Sequence, residues 1–199
     1  MQAQQGYFNT SVGTTLKWVI YDNSGSVFGY CHEKLTGLKG NMKYGEASYA
    51  YMFYDNKYKS VIGDKPFEFY VTIENGVTRA YVNNISKARK SGDYMPLADI
   101  SSIPDDIKAG DKLSDTEISV KVLTVVTIKN QYVNRSVKLR ESVTVPAGTF
   151  DCYLVEDHET LNGNGPFRVQ TWVAKGIGIV RQVIYKTDGS VNQIFELTK

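Results

Sequence analysis

The chain is predicted to be all-β, a strongly curved antiparallel meander of about ten strands. Three observations predict it. Apolar and polar residues alternate with period two in runs spread over nearly the whole sequence. Short turns rich in Gly, Asn and Asp separate the runs, and turns that short join antiparallel neighbours. Several runs, Met42 to Tyr54 and Ile177 to Tyr185 among them, carry large apolar groups on both faces. A flat sheet of that size would leave a bare face and long open edges, so it must curl or close. The expected form is a half-barrel or open barrel, one domain over 1–199, with a long loop or short-helix segment at about 84–116. A two-sheet sandwich also meets the pattern.

The elements follow in order. Thr14 to Tyr21 alternates Leu16, Trp18 and Ile20 with Lys17, Val19 and Tyr21. A turn at Asp22 to Ser26 leads into Val27 to Leu35, the second strand of a hairpin. Gly37 to Asn41 turns again, and Met42 to Tyr54 makes a long third strand ended by Asp55-Asn56. Phe67 to Ile73 and Val77 to Val82 flank Asn75-Gly76, the strongest short hairpin signal in the chain. From Asn83 to Thr116 no period-2 run is sustained. There Ser102 reads as an N-cap, Pro104 as a first-turn residue and Gly110 as the end of a short helix. Strands resume at Ile118 to Lys129, with Asn130-Gln131 as a turn, then Val133 to Val145. Pro146 cannot donate to a ladder, and Gly148 supplies the backbone angles of a corner. Phe150 to Leu161, Phe167 to Ala174, Ile177 to Tyr185 and Val191 to Leu197 complete the series.

Composition narrows the function classes. Fourteen tyrosines dominate the 12% aromatic share, which suits strand surfaces that are apolar along the ring and wet at the hydroxyl. The net charge of +2 is spread along the chain, unlike the concentrated basic patch of a nucleic-acid or anionic-membrane binder. The small basic run 87–90 reads as a solvated loop face. No window reaches the roughly 18–20 apolar residues of a membrane span. The start, MQAQQGYFNTS, lacks the regions of a signal peptide and has the texture of a mature N-terminus whose leader has been removed. Cys31 and Cys152 are either one disulfide or two free thiols. With two cysteines and two histidines a soft-ligand metal site is not expected.

Four segments occur together in order: GTTLKWVIYDNSGSVFGY (Gly13 to Tyr30), IPDDIKAGDKL (Ile103 to Leu113), ESVTVPAGTFDCYLV (Glu141 to Val155) and TWVAKGIGIVRQ (Thr171 to Gln182). The set resembles the DUF3108-like (TapB-like) envelope proteins common in gut Bacteroidetes. The resemblance covers nearly the whole chain. It implies a secreted or periplasmic protein and a strongly bent antiparallel sheet similar to bacterial lipoprotein-carrier folds. It carries no catalytic residues over. A lipobox cysteine is absent from the sequence, so membrane anchoring draws no support.

Candidate chemistry is sparse. Asp157-His158-Glu159 reads as a polar strand end, since Asp157 and His158 of one strand face opposite ways. Cys31 and His32 are likewise split, against a Cys–His nucleophile pair. Neither a G-x-S-x-G elbow nor a phosphate loop is present. Glu141 and Arg181 are expected to form a cross-strand salt bridge, with a polar anchor in a pocket as the sharper alternative. The ligand-binding candidates are Trp18, Tyr51, Tyr70, Trp172 and Arg181. The residues assigned to the scaffold are Glu141, Pro146, Gly148, Phe150, Gly176 and Gly178. The expected function is a non-enzymatic binding protein holding an apolar or amphipathic, lipid-like ligand in the curved sheet, with no cofactor. A protein- or glycan-interaction module of the envelope is the second reading and a hydrolase the third. The expected partner is a hydrophobic small molecule or an envelope protein.

Overall fold

The computed structural model of the chain describes residues 6, 7, 9, 11–40, 45–74, 77–82, 102–122, 126–161 and 163–199. Within them are eleven strands: β1 (Thr15–Asp22), β2 (Val27–Gly40), β3 (Gly45–Asp55), β4 (Phe67–Glu74), β5 (Val77–Val82), β6 (Thr116–Val122), β7 (Val126–Val145), β8 (Gly148–Leu161), β9 (Asn164–Ala174), β10 (Gly178–Tyr185) and β11 (Val191–Leu197). No helix long and apolar enough to cross a membrane occurs among them.

The all-β, strongly curved meander expected from the sequence is what the chain forms. Each strand pairs with its sequence neighbours, and β1 pairs with both β2 and β11. The ladder therefore returns to its start, where the sequence suggested a half-barrel or open barrel. Closure has a consequence for direction. Around a closed ring of an odd number of strands, antiparallel pairing cannot hold at every seam. The exception falls at β5–β6, which run parallel. A parallel pair needs a long crossover, and the chain between Val82 and Thr116 has the length for it.

Several boundaries differ from expectation for local reasons. β2 runs through Gly37 to Gly40, because a bulge between Leu35 and Gly37 absorbs what looked like a turn. Asn130 and Gln131 lie inside β7, paired with Leu161 and Thr160, instead of forming a turn. The expected helix from Ser102 is a string of turns. Its Ile103 and Ile107 instead form a satellite core with Tyr7, Val137, Val155 and Val173. Backbone bonds from Gly110 and Leu113 to Val137 and Arg135 tie this segment to β7, so tertiary contacts override a weak helical propensity. The Asn75-Gly76 turn, the basic run 87–90 and most of 84–116 lie outside the described residues.

The Pro146 corner is the two-residue tip of the β7–β8 hairpin, closed by pairing of Val145 with Gly148. Gly148 has φ +133°, a region that L side chains avoid. Just before it, the Ala147 N–H donates to the Leu197 carbonyl at 3.0 Å, which pins the tip to the end of β11. Val143, Val145 and Cys152 thereby join Trp18, Ile20, Phe195 and Leu197 in the main core. β8 changes its buried side along its length: Cys152 and Leu154 are buried toward the tip, then Val155, Asp157 and Glu159 beyond.

Candidate functional site

Strand register stacks the inward-facing residues of β1 to β4 in rows. One row crosses Leu197, Trp18, Cys31 and Phe53. It is fully packed, with no member more than 2% exposed. The next row runs Leu16, Glu33, Tyr51 and Phe67, and the one after it Leu35, Tyr49 and Phe69. Beyond lies a small cluster of Leu35, Ala47 and Val71. Between the two clusters, Leu16, Glu33, Tyr49 and Phe69 are only half-buried. The interior is thus filled by its own side chains, with a belt of partly exposed residues whose apolar members themselves pack on the two clusters.

Glu33 is the polar member of that belt. The Tyr51 hydroxyl donates to its Oε2 at 2.6 Å. Aromatic rings crowd around: Tyr51 stacks on Phe53 at 5.8 Å and meets Phe69 edge-on at 6.1 Å. Desolvation pushes the Glu33 carboxyl up to about 7, with the Tyr51 bond working the other way. Burial, and then the charge of Glu33, raises both Tyr49 and Tyr51 above the ordinary phenol range. Near neutral pH both the acid and the carboxylate of Glu33 are therefore within reach.

A second polar cluster sits on β7 and β8, at residues first read as a polar strand end. That reading needs correction: Asp157 and Glu159 are 2% and 0% exposed. Asn130 Nδ2 donates to Glu159 Oε1 at 3.1 Å. Burial first, and then the charge of Asp157, pushes Glu159 up to about 8, against a hydrogen bond from Tyr132. Arg135, also buried, stands 3.9 Å from Asp157 and donates to Ser102 Oγ at 2.6 Å and the Ser114 carbonyl at 3.2 Å. Carboxylates two apart on a strand share a face, and that spacing was the available signal. Which face is buried at that point depends on the switch along β8.

The remaining candidates separate. Trp18 is buried and donates to the Ile179 carbonyl at 3.3 Å. Trp172 donates to Glu141 Oε1 at 2.7 Å, and the Arg181 guanidinium lies 5.2 Å from its ring centre. Glu141 and Arg181 do not form the expected salt bridge: Trp172 meets both, and Arg181 pairs with Glu196 at 3.4 Å. Tyr51 and Trp172 belong to the main core with Trp18, while Tyr70 is 40% exposed and donates to Glu68 at 3.0 Å. Phe150 packs against the same core. Gly176 and Gly178, with φ +72° and +106°, shape the β9–β10 turn. Cys31 and Cys152 are two free buried thiols. Burial raises Cys31 well above its usual range and Cys152 to about 12, so neither is held as the thiolate that nucleophilic attack requires. His32 lies on the outer face, where the Tyr58 hydroxyl meets its Nε2 at 2.8 Å. Among the described residues, no group of three His, Cys, Asp or Glu side chains is placed to hold a metal ion.

Comparison with known proteins adds the following. A family model described as DUF3108-like matches residues 11–197. Two solved structures share the fold. One is a protein from Bacteroides fragilis, described as exported and of YmcC-like fold, with a TM-score of 0.65, 16% identity and 98% of each chain covered. The other is a protein from Parabacteroides distasonis, described as a lipoprotein, with a TM-score of 0.65, 14% identity, and 100% of this chain and 99% of that one covered. No curated protein matches.

Proposed function

The chain belongs to the DUF3108-like family, and from that footing we propose that it is a non-enzymatic protein of the cell envelope, periplasmic or secreted, holding an amphipathic, lipid-like ligand inside its curved sheet. The observation that carries this reading is the half-buried belt of Leu16, Glu33, Tyr49 and Phe69 between two packed clusters. An apolar chain laid there covers ring and methyl surface that the fold leaves open, at about 25 cal/mol per Å². Glu33 gives the polar end one anchor. As an acid it donates to a carbonyl or phosphoryl oxygen; as a carboxylate it accepts from an alcohol or amine. The descriptions of the two solved relatives as exported and as a lipoprotein support the envelope location.

The test uses N-phenyl-1-naphthylamine, which brightens in apolar surroundings. Wild type is expected to bind it, and Leu16→Trp, which fills the belt, to bind it several-fold more weakly. Glu33→Gln should flatten the pH dependence of binding between about 5 and 8. A wild-type protein that leaves the dye dark, or a Leu16→Trp variant that binds equally well, overturns the reading. Native mass spectrometry of protein taken from its own envelope should show a bound lipid-sized mass.

A further inference from the structure

The outer face of β2 and β3 carries an aromatic cluster unrelated to the interior belt. Tyr30 and Tyr54 are cross-strand partners, and Lys17 is the partner of His32 one row away. Over them lies Tyr58, from the turn after β3. Its ring stacks on Tyr54 with centres 4.7 Å apart and planes 14° from parallel. It meets Tyr30 at 4.8 Å, and its hydroxyl meets His32 Nε2 at 2.8 Å. Tyr54 thus backs one face of the ring, while the residue as a whole stays 51% exposed.

The backbone holds the ring there at a cost. Tyr58 has φ +62°, which costs a bulky residue on the order of 1 kcal/mol or more, where Gly or Asn would sit with little strain. The turn is rigid: Asp55 Oδ1 accepts from the N–H groups of Lys57 and Lys59, both at 2.9 Å, and the Tyr58 N–H donates to the Asp55 carbonyl at 2.9 Å. A half-exposed phenol ring is therefore held at the surface in one orientation. The Tyr30 and Tyr54 rings and the His32 imidazole lie beside it.

We propose that Tyr58, backed by Tyr54, Tyr30 and His32, is a stacking platform for a saccharide ring. A pyranose has one face of C–H bonds and an equator of hydroxyls. Such a ring matches a single phenol face with hydrogen-bonding groups at its rim. A lipid chain needs a longer apolar strip, and single-stranded nucleic acid needs a basic track beside successive rings. This site is independent of the interior ligand, so either can fail alone.

The experiment is affinity electrophoresis of the whole protein through gels containing β-glucan, α-glucan, galactan or polygalacturonate, followed by calorimetry with oligosaccharides of whichever polymer retards it. Tyr58→Asn keeps a residue that tolerates positive φ, so it should still fold while binding roughly tenfold more weakly. Tyr58→Phe keeps the ring and should stay within about threefold of wild type. On wild type itself, ring carbon and proton shifts of Tyr58 should move on adding the oligosaccharide, which keeps the test decisive even if the Asn variant folds poorly. Wild type passing every gel unretarded overturns the proposal. So does binding that leaves the Tyr58 shifts unmoved, or Tyr58→Asn binding as well as wild type.

Discussion

Replacing Glu159 with Gln should make the protein less sensitive to rising pH. In the folded chain, burial and the neighbouring charge of Asp157 push Glu159 from 4.5 up to about 8. A carboxyl whose folded pKa is raised favours the folded state fully below its unfolded pKa, and that contribution is lost as pH climbs through the folded one. The window here runs from about pH 4.5 to about pH 8. Each unit is worth about 1.4 kcal/mol, so the loss is roughly 3 kcal/mol by pH 7 and on the order of 5 kcal/mol once the titration is complete. Glu159 is 0% exposed, so solvent screening removes little of this. Gln keeps the shape: its carbonyl oxygen still accepts from Asn130 Nδ2, which now donates to Glu159 at 3.1 Å. Its amide is never charged. Urea denaturation of both proteins from pH 5 to 9 reads the difference. Wild type should lose stability over the window, and Glu159→Gln should lose several kcal/mol less. Glu33, raised to about 7, leaves a smaller residual slope that ends near neutrality. Parallel stability profiles for the two proteins would refute the reasoning, because a carboxyl that titrates normally gives no slope for Gln to remove.

Three further outcomes are expected. Gly148→Val should lower stability by about 1–3 kcal/mol through backbone strain alone: φ is +133° and an added Cβ meets nothing within 4 Å. An unchanged melting temperature would undo that account of the hairpin tip. Trp172→Phe should cost about 1 kcal/mol in chemical denaturation through the lost indole bond to Glu141 at 2.7 Å, and Glu141→Gln should cost no more, since the exposed Glu141 side chain is re-solvated by water. Cys31 and Cys152, both free and buried, should resist a thiol reagent at pH 8 and react together on unfolding. Fast labelling of the native protein would contradict their packing.

The candidate sites were less legible than the fold. Alternation placed Trp18, Tyr51 and Trp172 on strands, but period two does not say which face is inside at a given point. On β8 the buried side changes between Leu154 and Val155, so Asp157 and Glu159 read as surface when they are core. Glu33 escaped notice for a related reason: it becomes an interior carboxyl only because Leu16 and Tyr51 are its cross-strand partners. Tyr58 stands in a turn, and nothing local announces that its ring lies over Tyr54.

What the sequence determined by itself is the local grammar. The positions of most strands and the hairpin at Pro146–Gly148 follow from side-chain period and from residues that cannot hold extended backbone. Tertiary structure decided the rest. Whether the sheet closes is settled when β1 meets β11, a contact between opposite ends of the chain. The odd number of strands then forces one parallel seam at β5–β6. Which carboxyls lose their water, and so which become acids near neutral pH, depends on neighbours brought in from other strands. Desolvation is a property of the assembled interior, and no stretch of sequence carries it alone.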